Sequence, residues 1–210
     1  MVHVITLPET TRTPSGFTVE RASAGLLSEL LDEYSFQLKK RSPNVFDAML
    51  PGLSKTEIEQ RLGEIAINPP DEVYVWWQWK NGFRPMSGYG DKIGQMRLSS
   101  AVKHYRDWHL GTDVGDWNPD WIPVAGTFND AVAVCCRSAE NPPRVRAVST
   151  FEIGTQDSEG IAHQVVSLCT PVTWRLIAIA KGWDEWEPIT ATWGWDDSRY
   201  PLEWKLTNLM

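Results

Sequence analysis

The histidines and cysteines are the residues of this chain whose chemistry could give it a catalytic or metal-binding site. His104 and His109 are five residues apart on a predicted helix, so they point to different faces and are not placed to share a metal ion. His163 lies in the middle of a predicted strand, where a partner within the fold is expected. Cys135 and Cys136 are adjacent on a predicted strand, so their side chains should lie on opposite faces. Without a CxxC motif or a Cys/His cluster, we expect reduced thiols that behave as small hydrophobic residues.

Motifs for nucleophilic catalysis or phosphate binding are not formed by this sequence. It contains no GxSxG motif. The glycines of GYGDKIG, at positions 88, 90 and 94, are one residue off the dinucleotide fingerprint and follow no predicted strand, so they indicate a turn. The loop 113–120 carries oxygen ligands but lacks the spacing and the terminal glutamate of an EF-hand, which favours a solvated loop over a calcium site. We therefore assign no catalytic or metal-binding residue and expect no cofactor.

The first part of the chain predicts two helices. Residues 1–18 are polar and rich in Thr and Pro, and we expect them to be irregular. Apolar residues at three- and four-residue spacing predict an amphipathic helix over 22–41, which Pro43 ends. Ser54 and Glu57 then form a capping-box pattern, in which each side chain bonds a first-turn amide of a second helix.

The segment DEVYVWWQWKNGF, residues 71–83, has an ambiguous pattern. Its aromatic and β-branched residues followed by Asn81-Gly82 suit a strand that enters a hairpin. Pro70 at the first helical position, acidic residues in the first turn and Gly82 at the C-cap suit a helix instead. The residue pattern alone leaves both structures open.

The second half of the chain predicts a run of strands between two helices. The strands are expected over 121–125, 131–137, 145–153 and 161–168. The helices are expected from Ser99 or Ser100 to about Trp108, and from Thr170–Pro171 to Gly182. This order predicts an α+β fold, with an antiparallel sheet of about four to six strands packed with helices. We expect residues 1–210 to form a single domain.

Length and composition place the chain among globular proteins. Its 210 residues, 42% of them hydrophobic, suffice for one substantial core. No apolar run approaches the roughly 20 residues that cross a bilayer, and the N-terminus lacks the basic start and apolar stretch of a signal peptide. The three cysteines are an odd number and cannot all pair within the chain. We therefore expect a cytoplasmic protein without a membrane partner.

The negative charge of the chain is regional. The net charge of −7 argues against direct binding of nucleic acid, which relies on Lys and Arg. Residues 107–130 carry five Asp and no Lys or Arg, and sum to −5. Residues 183–205 carry six acidic and two basic side chains, and sum to −4. These two acidic segments are candidate surfaces for a basic partner.

The C-terminal segment from residue 183 holds five of the twelve tryptophans, interleaved with acidic residues. Tryptophans in such a segment can cover the core, because each buries on the order of 150–250 Å². They can also anchor a partner or stack on a sugar, with the acids forming a rim around them. The candidate partner-binding residues of both acidic segments are Asp113, Asp116, Asp120, Asp130, Asp184, Glu185, Trp186, Asp196 and Asp197.

The order of these motifs resembles the SUKH superfamily. The resemblance rests on the capped helix at Ser54, on the unit from Pro70 to Asn81-Gly82, and on Trp121-Ile122-Pro123 leading into a strand pair. It covers roughly residues 52–183, and it implies a helix rather than a strand after Pro70. It implies structural roles for the motif residues Ser54, Glu57, Asn81, Gly82, Trp121 and Pro123. Residues 19–51 then form an N-terminal helical addition, and residues 184–210 form a Trp-rich C-terminal extension.

The resemblance implies a function in binding rather than in catalysis. Bacterial members of the superfamily are mostly immunity proteins that neutralise toxins, and a fungal member regulates cell-wall synthesis. Since many toxins are basic nucleases, an acidic binder suits a basic toxin domain as its partner. The expected function is therefore that of an immunity protein that binds such a toxin directly. The alternatives are a regulatory scaffold, and a hydrolase or sugar-binding protein that uses the Trp-rich tail.

Overall fold

The fold is α+β, as the sequence predicts. The computed structural model describes residues 5–84, 95–110, 118–126, 130–137, 141–149, 164–187, 192–195, 199 and 201. Its helices α1 to α6 are Ala24–Arg41, Pro43–Ala48, Lys55–Gly63, Asp71–Trp79, Leu98–Leu110 and Cys169–Ala180. Its strands β1 to β10 are Thr10–Thr13, Gly16–Val19, Met49–Pro51, Lys80–Phe83, Trp121–Gly126, Asp130–Cys135, Arg144–Ser149, Gln164–Val166, Asp184–Glu187 and Thr192–Trp195. None of the described helices is long and apolar enough to cross a membrane.

The main sheet has six strands in the order β1-β2-β8-β7-β6-β5. Strands β5 to β8 form the antiparallel run predicted between residues 121 and 168. Strand β2 joins β8 in parallel, with Phe17 opposite Val165, so the sheet is mixed rather than purely antiparallel. The two remaining ladders pair β3 with β4 and β9 with β10.

The N-terminal segment 1–18 was expected to be irregular, and that prediction was wrong from residue 10 onward. Strands β1 and β2 form a hairpin that occupies one edge of the main sheet. Gly16 has a φ of +116°, and a Cβ at this position would lie 2.3 Å from the carbonyl oxygen of Gln164. The hairpin therefore depends on a close approach to β8, a strand distant in sequence, which local patterns do not reveal.

Helix α1 packs on the body of the fold, as its hydrophobic stripe predicts. Ser23 caps it, since the Ser23 hydroxyl accepts a hydrogen bond from the Leu26 amide. Leu27, Leu30 and Leu31 are buried in the main core, where α1 meets α4 and α6. Burial of a leucine side chain contributes about 2 kcal/mol. The helical addition thus shares its core with residues of the predicted 52–183 unit.

Helix α3 begins with the predicted capping box. The Ser54 hydroxyl oxygen accepts from the Glu57 amide at 3.2 Å, and the Ser54 amide donates to the Glu57 carboxylate at 2.8 Å. The Ser54 hydroxyl also donates to the Glu57 carboxylate at 2.7 Å, and this bond, together with the one from the Ser54 amide, lowers the pKa of Glu57. Ile58 and Leu62 then form the buried stripe of the helix.

Replacing Ser54 with alanine is expected to destabilise the fold by about 1 kcal/mol at neutral pH, because a first-turn amide loses its acceptor. The pKa of Glu57 is lower in the folded protein, so its hydrogen bonds add their full stability only at a pH above the pKa that Glu57 has in the unfolded chain. This stability is lost as the pH falls through the folded-state pKa. The difference between the parent and Ser54→Ala should therefore shrink in acid. Urea unfolding at a series of pH values measures it, and a difference that grows in acid would contradict the assignment.

The ambiguous segment 71–83 contains a helix, α4, followed by a strand, β4. Residues 71–79 are helical, as the resemblance implies, but Pro70 is the N-cap rather than the first helical residue. The helix ends at Trp79, and Lys80–Phe83 forms strand β4 against β3. Gly82 therefore lies in a strand and not at a helix C-cap, so this part of the prediction was wrong. Residues 80–83 pair with β3, and this pairing ends the helix at Trp79.

The core lies on both faces of the main sheet. The larger cluster packs one face against α1, α4 and α6, and includes Val132, Val134 and Trp77. A smaller cluster consists of Tyr105, Trp108, Trp121, Ala131, Ala133 and Cys135. Helix α5 contributes to both, since Leu98 belongs to the first cluster and Trp108 to the second. The helix therefore packs at the β5 edge and joins the two layers.

Candidate binding surfaces

The pair Asn81-Gly82 joins the end of α4 to the start of α5. The Asn81 side-chain oxygen accepts from the Leu98 amide at 2.9 Å, which satisfies the first turn of α5. Gly82 has a φ of +71°, and a Cβ there would lie 2.8 Å from the Arg97 nitrogen. The Gly82 amide donates to the side chain of Gln95 at 3.2 Å. Both motif residues therefore have structural roles.

Gln95 and Arg97 complete this junction, and sequence reasoning missed both. The Gln95 amide group donates to the carbonyl oxygens of Trp76, at 2.7 Å, and of Lys80. The Arg97 guanidinium donates to the carbonyl oxygen of Phe83. These side chains supply partners for the backbone where α4 changes into β4. Their polar character beside an Asn-Gly pair is the signal that could have indicated the role.

Trp121 and Pro123 also serve the scaffold. Trp121 is buried in the smaller core cluster, and the Arg146 guanidinium carbon lies 4.4 Å from its ring centroid. Arg144 approaches the same ring at 5.7 Å. Pro123 lies at the irregularity in the β5–β6 register, where a strand tolerates a residue without an amide hydrogen. The strand pair is therefore set by packing around Trp121.

A buried carboxylate, Glu72, links the N-termini of α4 and α6. It is 1% exposed and accepts two hydrogen bonds, from the Ser167 hydroxyl at 2.6 Å and from the Leu168 amide at 2.7 Å. Burial raises the pKa of Glu72, and the two hydrogen bonds oppose that rise. The Ser167 oxygen in turn accepts from the Cys169 amide at 2.9 Å. This network caps α6.

The predicted cap of α6 at Thr170–Pro171 was wrong. The helix begins at Cys169, and the Thr170 hydroxyl donates to the carbonyl oxygen of Val166 at 2.7 Å. The Cys169 amide bonds the nearby Ser167 oxygen, whereas the acceptor for the Leu168 amide comes from Glu72, about a hundred residues earlier in the chain. The carboxylate that completes the cap therefore leaves no local pattern next to α6.

Ser167 lies in the turn between β8 and α6 and has a φ of +71°. Nucleophilic serines also occupy strand-to-helix turns. Here the Ser167 side chain is fully buried, and its proton is donated to a carboxylate that also holds the Leu168 amide. A substrate has no path to the hydroxyl oxygen in this arrangement. The Ser167–Glu72 pair therefore acts as a structural cap.

The thiols and histidines occupy the structural positions that the sequence predicts. Cys135 packs in the smaller cluster and Cys136 against the larger one, which confirms that they lie on opposite faces. Burial raises the pKa of Cys136 above the ordinary range, and that of Cys169 to about 11. His104 stacks on Trp108, and His109 on Tyr105. Among the described residues no group of three His, Cys, Asp or Glu could hold a metal ion. His163 lies outside those residues.

The structure describes the backbone of five of the nine predicted partner-binding residues. Four of them lie outside the described residues: Asp113, Asp116, Asp196 and Asp197. Asp130 begins β6, opposite Ser149. Asp184, Glu185 and Trp186 belong to β9, which follows α6. Asp120 lies in the turn before β5. The structure therefore describes the side chain of Asp120 alone among the nine.

Two carboxylates of segment 107–130 are paired with cations that the charge sum of that segment leaves out. The Asp120 carboxylate lies 2.7 Å from the Arg137 guanidinium. The Asp107 carboxylate lies 3.2 Å from the ammonium of Lys103. The cations come from just outside the counted segment, so its local field is weaker than the sum of −5 indicates.

The β9–β10 ladder pairs acidic and tryptophan positions of the C-terminal segment. Trp186 is opposite Trp193, and Glu185 is opposite Gly194. Asp184 is opposite Trp195. The backbone register therefore places acidic positions next to tryptophan positions along this ladder.

The comparisons with known proteins leave the family open. No protein-family model matches the chain. The chain is similar to (+)-germacrene D synthase of Selaginella moellendorffii, at 22% identity over 191 residues. The similarity covers 83% of this chain and 54% of that relative, so the chain spans about half of the relative's length. Identity at this level does not establish membership of a family, and the SUKH resemblance stays a prediction.

Proposed function

We propose that this chain is a binding protein of the immunity type, which acts inside the cell and neutralises a basic toxin domain by covering it. The observation that carries the proposal is the order of elements together with the roles of the motif residues. A capped helix α3, helix α4 followed by Asn81 and Gly82, helix α5, four antiparallel strands and the closing helix α6 follow each other along the chain, and this order supports the proposal. The motif residues hold this scaffold, which supports the two acidic segments as the candidates for binding a partner.

The acidic loop before β5 and the β9–β10 hairpin are the surfaces assigned to the toxin. Acidic residues complement a basic nuclease and accelerate its encounter with the binder. The similarity to a germacrene D synthase is too distant to favour catalysis over binding.

Neutralising Asp113, Asp116, Asp184 and Glu185 together, by substitution with Asn or Gln, is expected to slow association with the toxin domain. The toxin to use is the product of the gene beside that of this chain, because immunity proteins are usually encoded next to their toxins. At low salt the association rate should fall by roughly tenfold or more, and its dependence on salt should flatten. Surface plasmon resonance measures both quantities.

The control neutralises four exposed carboxylates outside the two acidic segments: Glu9, Glu20, Glu29 and Asp32. It makes the same change in net charge, so it separates the local field from the overall charge. If both variants slow equally, net charge rather than the assigned surface steers the encounter. If neither variant slows, the acidic segments are solvated surfaces only.

A further inference from the structure

Two lysines converge on one aromatic ring, where helix α2 meets the end of α1 and the start of β4. The Lys39 ammonium, in the last turn of α1, lies 4.5 Å from the ring centroid of Phe46. The Lys80 ammonium, at the start of β4, lies 4.3 Å from the same centroid. Phe46 is half-buried against a small core of Leu38, Val45 and Met49. The ring is therefore fixed, and both cations are held against it.

The electrostatics of this pair are unfavourable without an anion. Burial lowers the pKa of Lys80, and the neighbouring charge of Lys39 lowers it further, while Asp47 opposes the shift. Lys40, Arg41 and Arg84 add three more cations to this end of the chain. Within the described part of the chain, none of these five cations is ion-paired with a carboxylate. A bound carboxylate would relieve the repulsion.

An exposed aromatic side chain borders the cations. Phe36 is 43% exposed, and it is the one large hydrophobic side chain exposed to this degree among the described residues. Lys39 and Lys40 follow it by three and four positions on α1, so the three residues share one side of the helix. We call Phe36, Phe46 and the five cations the Phe46 patch. It combines positive charge with apolar contact area.

The negative charge of the rest of the chain favours a short anionic ligand over a long polyanion or a membrane. The five cations and Asp47 sum to +4, so the remainder of a chain of net −7 carries −11. A long polyanion or an anionic membrane extends beyond the patch and meets that negative remainder. A short acidic segment interacts strongly only with charges within the Debye length, about 8–10 Å near physiological salt, because more distant charges are screened. A single exposed Phe also gives little area for insertion into lipid.

We propose that the Phe46 patch binds a short acidic peptide segment of a partner protein. Its carboxylates lie between the ammonium groups of Lys39 and Lys80, and an apolar side chain packs on Phe36. The Phe46 patch contains no residue of the two acidic segments assigned to the toxin, and the proposal does not depend on that assignment. It would give the protein a second partner, which is acidic whereas the proposed toxin is basic.

A labelled ten-residue peptide with glutamates on both sides of one phenylalanine tests the proposal, and fluorescence anisotropy at low salt measures its binding. The double variant Lys39→Gln/Lys80→Gln should bind roughly ten- to thirtyfold more weakly than the parent, since each ion pair contributes up to about 1 kcal/mol. The control Lys55→Gln/Lys103→Gln makes the same charge change elsewhere on the described surface and should bind like the parent. Replacing the glutamates of the peptide with glutamines should abolish binding.

Two further measurements separate this ligand from other anions. With ¹³C-methylated lysines, NMR titration should show the Lys80 pKa rising when the peptide is added, because a carboxylate favours the charged ammonium. A short DNA duplex and vesicles containing phosphatidylserine should bind more weakly than the peptide. The proposal is overturned if no peptide binding is seen at millimolar concentration, if the control variant loses as much affinity, or if the duplex or the vesicles bind more tightly.

Discussion

Replacing Glu72 with alanine is expected to lower the free energy of unfolding by about 3 kcal/mol. The substitution leaves the Ser167 hydroxyl and the Leu168 amide without their acceptor inside the fold, and each unsatisfied buried donor costs about 1–3 kcal/mol. It also uncaps α6, which packs in the main core. Urea denaturation followed by tryptophan fluorescence measures the loss. A loss below about 1 kcal/mol would contradict the role of Glu72 as the joint between α4 and α6.

The pH dependence of a second variant, Glu72→Gln, isolates the charge of this group. The folded-state pKa of Glu72 is raised by burial, so its contribution to stability is present below the unfolded pKa and is lost as the pH rises through the folded pKa. Glutamine does not titrate. The stability of the parent relative to Glu72→Gln should therefore increase as the pH falls from neutral toward the ordinary range of a carboxyl group. A constant difference would mean that the pKa is not raised.

Replacing Gly52 with alanine is expected to cost roughly 3 kcal/mol or more, or to prevent folding. A Cβ at Gly52 would lie 1.6 Å from the carbonyl oxygen of Gln78, which is backbone and cannot rotate away. The chain passes this close to the end of α4 because the Leu53 amide donates to the Trp77 carbonyl oxygen at 2.9 Å. Thermal unfolding followed by circular dichroism measures the effect.

Gly63→Ala is the matched control for that substitution. Gly63 lies in α3, and a Cβ there has no heavy atom within 4 Å. Alanine is a better helix former than glycine, so this variant should be neutral or more stable by up to about 1 kcal/mol. If Gly52→Ala unfolds at the same temperature as Gly63→Ala, the close approach between the β3–α3 connection and α4 is not present in the folded protein.

Local patterns predicted the elements whose determinants are neighbours in sequence. The leucine stripe of α1, the capping box at Ser54 and Glu57, and the end of α6 at Gly182 all depend on residues within a turn or two. Gly182 has a φ of +66°, and the Trp183 amide donates to the Ala178 carbonyl oxygen, as a glycine-ended helix requires. These features were therefore accessible without tertiary structure.

The features that were missed or predicted wrongly depend on partners distant in the chain. Gly82 was expected at a helix end, but pairing with β3 places it in a strand. The N-terminal hairpin is ordered by β8, and the cap of α6 comes from Glu72. The charge of the acidic loop changes because Arg137, beyond β6, pairs with Asp120. In each case the deciding residue lies outside the window in which a sequence pattern can be recognised.

Titration of the purified toxin domain with this chain tests the proposed immunity function most directly. The toxin domain to test is the one that the proposed function places in the neighbouring gene, and its catalytic activity is followed while the chain is added in increasing amounts. We predict that the activity falls linearly and vanishes at a 1:1 molar ratio, because a protein that covers the toxin acts stoichiometrically. Full toxin activity in the presence of a tenfold excess of the chain would contradict the immunity function.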